Sequence, residues 1–519
     1  MASLILSGLA GTGIVVILNR AATSPPTTGV RLDLALEFLG LVVLFRITQA
    51  ALLSSVCEAV ESSLDATRTR IAGKFIQLSL ADFEALPHDP LVREVATHCS
   101  SISRAMSPFV YSLQSGVLLL LILGYLFYIS PLAGLIIMLM GAQVGYSFVS
   151  RLNTLKTAMT QAAHRNTELS FALSELSSGF KELRLDMGKR AALSEDVEIC
   201  SANAATANLD TTAINSNLIV SSTSTSYLMG AAAIFLLPIF GSPSTSSVRA
   251  VLTVILFLMG PLAGCAGALQ QLAIIRFATE QLDNFEKHLS TLVQNSEPIT
   301  VSDFERIDVD GISYEHVSGE GAERFSVGPV HLNLRPGTIT FLTGGNGSGK
   351  TTVLRMITGL YSCNAGRIFL NGRQVEESEM ESYRQLFGAV FADVHVFRRP
   401  YGMCEEQLKV LDERLKCFRI RHKLPEQLVD GYDPEKLSTG ERKRLALAIA
   451  VAERRPVLVF DELAADQDPQ FRTQFYREIL QQLRSEGRSI FAITHDERFF
   501  DVADVRYHME EGKMSLIVQ

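Results

Sequence analysis

The 519-residue sequence predicts an all-α domain of six membrane-spanning helices fused to an α/β domain. Three observations predict it. Charged residues vanish over long stretches: no Lys, Arg, Asp or Glu lies between Arg104 and Arg151, Asp210 and Arg249, or Arg249 and Arg276. From about Thr300 the character changes to short apolar, β-rich runs separated by helical stretches. One of these runs leads straight into a glycine-rich loop ending in Lys350. Charged residues are 20% of the chain and hydrophobic ones 47%, against about 25% charged in soluble domains. Disordered, collagenous and small disulfide-stapled classes are excluded.

A spanning helix needs about 20 mostly apolar residues. Six segments qualify: about 4–18, 34–56, 109–129, 132–150, 217–241 and 250–275. The first is short and Gly-rich, and Glu37 and Arg46 interrupt the second. Ser130-Pro131 reads as a tight turn between the third and fourth. Basic residues test the topology. The connection 57–107 carries five Lys/Arg and 151–210 carries seven, whereas 130–131 and 242–248 carry none. The basic connections therefore face the cytoplasm and read as helices continuing beyond the bilayer. Six spans return the chain to the cytoplasm, which assigns 1–285 to the transmembrane domain, 286–304 to a linker and 305–519 to the second domain.

The net charge of −8 and a pI near 5.8 argue against nucleic acid as a partner. The seven cysteines show no CxxC pair or His-rich spacing, so they read as reduced, packed thiols without a zinc site. The apolar N-terminus lacks a basic n-region and a cleavage site, so no removed signal peptide is expected.

The chemistry lies in the second domain. Gly344, Gly345, Asn346, Gly347, Ser348, Gly349, Lys350, Thr351 and Thr352 fit GxxxxGK[ST] after the strand Thr338–Leu342. Glycines let backbone N–H groups close around phosphates, and the helix that follows adds its positive dipole end. Lys350 reaches the β- and γ-phosphates, and Thr351 ligates Mg²⁺. The strand Val457–Phe460 ends in Asp461 and Glu462, 111 residues after Lys350 in the case of Asp461. Asp461 is expected near the Mg²⁺, and Glu462 is placed to orient or deprotonate the attacking water.

Between these lies Leu437-Ser438-Thr439-Gly440-Glu441. It resembles the LSGGQ signature of ATP-binding cassette (ABC) ATPases: Ser438 and Gly440 match, Thr439 and Glu441 depart. The resemblance implies an α/β P-loop NTPase (ABC ATPase) domain using ATP and Mg²⁺, in which Ser438 and Gly440 grip ATP held by a second subunit. It also implies that Asp468 ends a D-loop, that His495 is the switch histidine contacting the γ-phosphate, and that Tyr314 stacks on adenine. A sheet-packing role is the alternative for Tyr314. Most family members carry a Gln where Ala392 stands here. Asp393 is the nearest substitute metal contact, with loop capping as its alternative.

Phe387–Phe397 and Asp461–Pro469, with Gly179–Leu185 in the second basic connection, resemble the subgroup that exports cyclic peptides and pyoverdine- or syringomycin-type siderophores and lipopeptides. The resemblance implies a half-transporter acting as a homodimer, because one chain has one phosphate loop and one signature, which face different composite sites. The implied cargo is a peptide-like or siderophore-like molecule moved across the inner (plasma) membrane of a bacterium, with the ATPase domain cytoplasmic and coupling elements near Ala81–Pro90 and Arg184–Arg190. A lipid or linear-peptide exporter or flippase of the same fold is the nearer alternative, and a non-transport ABC ATPase the more distant one. No Cys/His protease domain precedes the helices, which disfavours a leader-cleaving exporter.

Overall fold

The computed structural model describes residues 2–23, 32–85, 90–236, 239, 245–292, 304–316 and 325–517. The chain forms two compact units. One comprises Met1–Ile76 and Pro87–Thr291, the other Gln77–Leu86 and Leu292–Gln519.

The first unit is helical: α1 (Ala2–Thr23), α2 (Leu32–Ile76), α4 (Pro90–Ile129), α5 (Pro131–Ser178), α6 (Phe180–Leu185), α7 (Met187–Phe235) and α8 (Thr245–Leu292). Six of these are long and apolar enough to cross a membrane. Hydropathy marks only part of each. The 49 residues of α7 extend about 73 Å at 1.5 Å per residue, more than twice a hydrocarbon core of about 30 Å. The linker expected over 286–304 falls mainly on 293–303, outside the described residues, and 286–292 continue α8. Most of the C-terminal end 237–241 of the expected span 217–241, and 242–244 of the connection after it, also lie outside them.

Ser130 N-caps α5, its Oγ accepting from the Ala133 amide, and Pro131 supplies the pre-set first helical residue. Glycines draw α1 against its neighbours: a Cβ on Gly8 would stand 2.8 Å from Val117, and one on Gly13 2.9 Å from Leu41. With no hydrophobic drive between helices in lipid, such close approach is the main source of association. Val15, Ile122, Leu126, Ile137, Met229, Val254 and Leu258 form the buried centre. Beyond the apolar stretches, Arg70 and Lys74 of α2 both bind Glu286 of α8, at 2.7 Å each.

The second unit has two sheets. A six-stranded sheet runs β10 (Lys513–Ile517), β9 (Val505–Glu510), β3 (Ile339–Gly344), β8 (Ser489–Ile493), β7 (Val457–Asp461), β6 (Phe387–Val390); all but β10 are parallel. An antiparallel sheet orders β2 (Phe325–Leu334), β1 (Ile307–His316), β4 (Ala365–Leu370), β5 (Arg373–Gln374). The strands β3, β7 and β8 are buried at every residue because both faces are covered. Phe341, Leu458, Phe460 and Ile490 pack one way, with Leu445 and Ala448 of the helix Thr439–Ala452. Leu342, Val457, Val459 and Phe491 pack the other way, with Val353 and Ile357 of the helix Lys350–Ile357 and with the antiparallel sheet. This cross-chain ordering of strands puts the ends of β3 and β7 one strand apart, which is what brings the two phosphate motifs together.

The unit also contains the short helix α3 (Leu80–Ala85), drawn from far upstream. Leu80 and Ala81 pack on the core, and Glu84 pairs with Arg355 at 3.0 Å and accepts from the Tyr361 hydroxyl.

Candidate active site

The loop after β3 turns on glycines. Gly344, Gly347 and Gly349 have φ of 146°, 76° and 102°, open only to residues without a Cβ. A Cβ on Gly344 would strike the Met509 carbonyl, and one on Gly349 would lie 2.8 Å from Val327. By contrast, Cβ atoms on Gly345 or Gly347 would meet nothing within 4 Å, so the mouth of the loop is open. Lys350 is buried, and its Nζ donates to the carbonyls of Gly344 (3.1 Å) and Gly345 (2.8 Å). Burial lowers its ammonium from the ordinary lysine value, while Glu462 and Asp461 oppose that. Asn346 lies in the turn, Thr352 is buried, and the Ser348 hydroxyl is buried with no partner among the described residues.

Thr351 and Asp461 meet: Thr351 Oγ1 donates to Asp461 Oδ2 at 3.2 Å. Asp461 is only 2% exposed, and burial raises its carboxyl pKa, against the Thr351 hydrogen bond and with a push from Glu462. Among the described residues no three or more His, Cys, Asp and Glu side chains stand where they could hold a metal without other donors. A hydroxyl and one carboxylate instead fit Mg²⁺, a hard cation that takes few protein oxygens and completes its shell with phosphate and water. An open glycine cradle, a buried unpartnered hydroxyl and a buried lysine on the loop fit a triphosphate.

Glu462 has φ +49°, the left-handed region, which is uncommon for a non-glycine residue. Its amide donates to Ile493 O at 3.2 Å, and its side chain meets His495 Nε2 at 3.1 Å. The structure thus brings Lys350, Thr351, Asp461, Glu462 and His495 into one cluster at the ends of β3, β7 and β8. Asp393 lies exposed in the bend after β6, and its charge adds slightly to the upward push on Asp461.

Ser438 N-caps the helix Thr439–Ala452 in a capping box: its Oγ accepts from the Glu441 amide (3.4 Å), and Glu441 Oε2 accepts from the Ser438 amide (3.0 Å). Glu441 also pairs with Lys423 at 2.9 Å, and that bond, with the Ser438 amide, holds its carboxyl down at about 2. Gly440 is required by close approach, since a Cβ would lie 2.9 Å from Asp466 O. Asp468 caps the helix starting at Pro469, accepting from the Phe471 amide at 2.9 Å, and pairs with Arg444; the amide bond leads in holding its carboxyl low. Tyr314 stacks on Tyr361, with centroids 4.6 Å apart and planes at 21°. Sequence reasoning gives no individual role to Tyr361, Arg355, Glu84, Lys443 or Gln467, although Glu84 lies in the expected coupling stretch, Lys443 beside the signature and Gln467 in the expected D-loop; their pairing in space marks them.

Comparison with known proteins agrees. Residues 327–465 match the family described as ABC transporter. The chain is 31% identical over 291 residues to ATP-binding protein SyrD of Pseudomonas syringae pv. syringae, covering 54% of this chain and 51% of that one. It is 30% identical over 204 residues to a putative ABC transporter ATP-binding protein of Archaeoglobus fulgidus, 36% of this chain and 67% of the other. The chain thus spans about half the length of SyrD, and other curated relatives match over a cassette-sized part. A solved structure, titled as a bacterial Atm1-family ABC exporter with ATP bound, superposes with TM-score 0.78 over 99% of this chain and 94% of that one, at 16% identity, which speaks to fold. ATP and Mg²⁺ are the ligands of this cassette and ATP hydrolysis its reaction. The chain belongs to the ABC transporter family, as an ATPase domain joined to six membrane-competent helices in the fold of an exporter half.

Proposed function

We propose that the protein is an ATP-driven exporter that works as a homodimer in a bacterial inner membrane, with its ATPase domain in the cytoplasm. The observation that carries this is one complete phosphate loop, carboxylate pair and signature on a chain whose whole length follows an exporter fold. The SyrD match, over 291 residues, also runs well past the 204 residues matched in the archaeal cassette protein.

In this reading Gly344–Gly349 and Lys350 bind the triphosphate, and Lys350 exchanges its loop carbonyls for phosphate oxygens. Thr351 and Asp461 hold Mg²⁺, which neutralises charge developing on the transferred phosphate. Glu462 orients the attacking water, and His495, bonded to it, faces the same phosphate. Ser438 and Gly440 complete the site of a second subunit, so hydrolysis requires two chains. Closure and reopening of the paired ATPase domains drive the helices between inward- and outward-open states, with the stretches 81–90 and 184–190 as coupling elements. Tyr314 contributes an aromatic face to adenine, and 305–519 is the ATPase domain.

The cargo is a peptide-like secondary metabolite, a cyclic peptide, lipopeptide or siderophore precursor. The motif resemblance in Phe387–Phe397 and Asp461–Pro469 supports this class. Inside-out vesicles carrying the protein should accumulate such a peptide with ATP, and vesicles carrying Lys350→Ala should not. Movement of labelled phospholipid between leaflets with no peptide uptake would replace the cargo with lipid. Uptake of neither would refute export.

A further inference from the structure

Lys443 stands in the second turn of the signature helix, a charged residue only 2% exposed. An ammonium is buried at such depth only where its donors are met. Its Nζ lies 2.6 Å from Asp466 Oδ2 and donates to the main-chain carbonyl of Glu462 at 3.2 Å. That carbonyl belongs to the residue held at φ +49°. A left-handed non-glycine residue persists only where its surroundings over-determine it. Here the Glu462 amide is held by Ile493, and the carbonyl by the Ala465 amide (3.2 Å) and Lys443.

The contact does not stand alone. Gln467 Nε2 donates to Gly440 O at 3.0 Å, Arg444 Nε donates to Gln467 Oε1 at 2.8 Å, and Arg444 pairs with Asp468. Three successive residues, Asp466, Gln467 and Asp468, are each tied to the signature helix, against which Gly440 allows the backbone to close. The signature helix and this loop are therefore tied together at several points, and Lys443 is the link to Glu462.

We propose that Lys443 is a positioning residue: it fixes the backbone of Glu462, and so couples the placement of the signature helix to the aim of that carboxylate in the same subunit. The inference rests on the reading of Glu462 as the residue that orients water. Since the signature serves the second subunit's nucleotide in that reading, the link carries engagement at one composite site to hydrolytic competence at the other.

The test is steady-state hydrolysis by the purified full-length protein in lipid, with Mg-ATP. Displacing a catalytic group by about 1 Å costs up to about 10²-fold. Lys443→Met should therefore lower kcat by about 10–100-fold with KM for ATP within about twofold. Lys443→Arg, which keeps donors for both partners, should stay within about threefold of wild type. Asp466→Asn, at a half-exposed site that folding tolerates, should lower kcat about 3–10-fold at unchanged KM. In the Glu462→Gln background Lys443→Met should change the residual rate by less than about twofold, because both act through one group. Wild-type kcat in Asp466→Asn and Lys443→Met, a fall in Lys443→Arg equal to that in Lys443→Met, or full multiplication of effects in the double variant would each overturn the link. Normal hydrolysis by Glu462→Gln would instead overturn the role of Glu462 itself, whatever Lys443 does.

Discussion

Glu84 offers a quantitative handle on how α3 is held. Its Oε1 pairs with Arg355 Nη1 at 3.0 Å and its Oε2 accepts from the Tyr361 hydroxyl, while Leu80 and Ala81 bury apolar surface beside it. The Glu84 side chain is 35% exposed and that of Arg355 25%, so solvent screening limits the ion pair to about 1 kcal/mol. A hydrogen bond from a partly buried hydroxyl to a carboxylate contributes about 1.5 kcal/mol. Glu84→Ala should thus weaken docking of residues 77–86 by about 2 kcal/mol after allowance for relaxation, or about 30-fold in the local opening equilibrium. Glu84→Gln keeps an acceptor and should cost about fivefold; Tyr361→Phe should cost about tenfold and retain the stack on Tyr314. Burial and the Glu84 bond push the Tyr361 hydroxyl up to about 12 from 10. Its contribution is therefore complete below pH 10 and is lost only as pH rises from there through 12. Hydrogen exchange at pH 7–9 isolates the substitutions from that titration. The amides to follow are those of Phe83, bonded to Ser79 O, and Asp82, bonded to Ser79 Oγ. Acceleration below threefold would refute the bookkeeping, and equal acceleration in β3 and β8 would show global loosening instead of undocking.

Lys350→Ala should abolish ATP turnover while leaving the melting temperature within a few degrees, because the loop carbonyls its Nζ engages can turn to water; normal turnover would sink its assignment. Asp393→Ala should raise the Mg²⁺ concentration that gives half-maximal ATPase activity, as expected of a carboxylate standing in for the Gln that Ala392 replaces; an unchanged Mg²⁺ dependence would leave that place to water. Glu441→Gln should keep the capping box but lose the Lys423 pair. Because the Glu441 carboxyl is depressed from 4.5 to about 2, its contribution is full above pH 4.5 and fades as pH falls toward 2. Wild type and Glu441→Gln should therefore differ by a constant small margin in unfolding from pH 5 to 8 and converge below pH 4, and parallel curves throughout would contradict this.

The features most legible in the sequence are those whose chemistry tolerates few residue types. A backbone that folds around phosphate needs glycine at positive φ, and Gly344, Gly347 and Gly349 carry it. Buried parallel strands need unbroken apolar runs, so Val457–Asp461 announced itself. Long helices were legible only where lipid demands apolar side chains; the remainder of α2, α5 and α7 is ordinary polar helix. Pairings that use common charges left no trace. Lys443 and Asp466 are unremarkable until the fold sets them 2.6 Å apart. The ring of Tyr314 meets Tyr361 across two intervening strands and a helix, and Glu84 approaches from 271 residues upstream of Arg355, a separation that no local pattern encodes.

That last separation bears on biogenesis. Domains form as the chain emerges, N-terminal parts first. Residues 80–85 are synthesised long before Arg355 and Tyr361, between two membrane-competent helices, so α3 must wait for its partners. An ATPase unit completed in this way closes only if α2 and α4 have already been inserted with the connection between them on the correct side. Were the pair inserted upside down, Leu80, Ala81 and Glu84 would lie across the membrane from their seat, and a half-buried arginine and a buried tyrosine would be left unmatched for quality-control proteases to find. The discontinuous chain path thus makes the stability of the ATPase unit a record of how the helical unit was threaded.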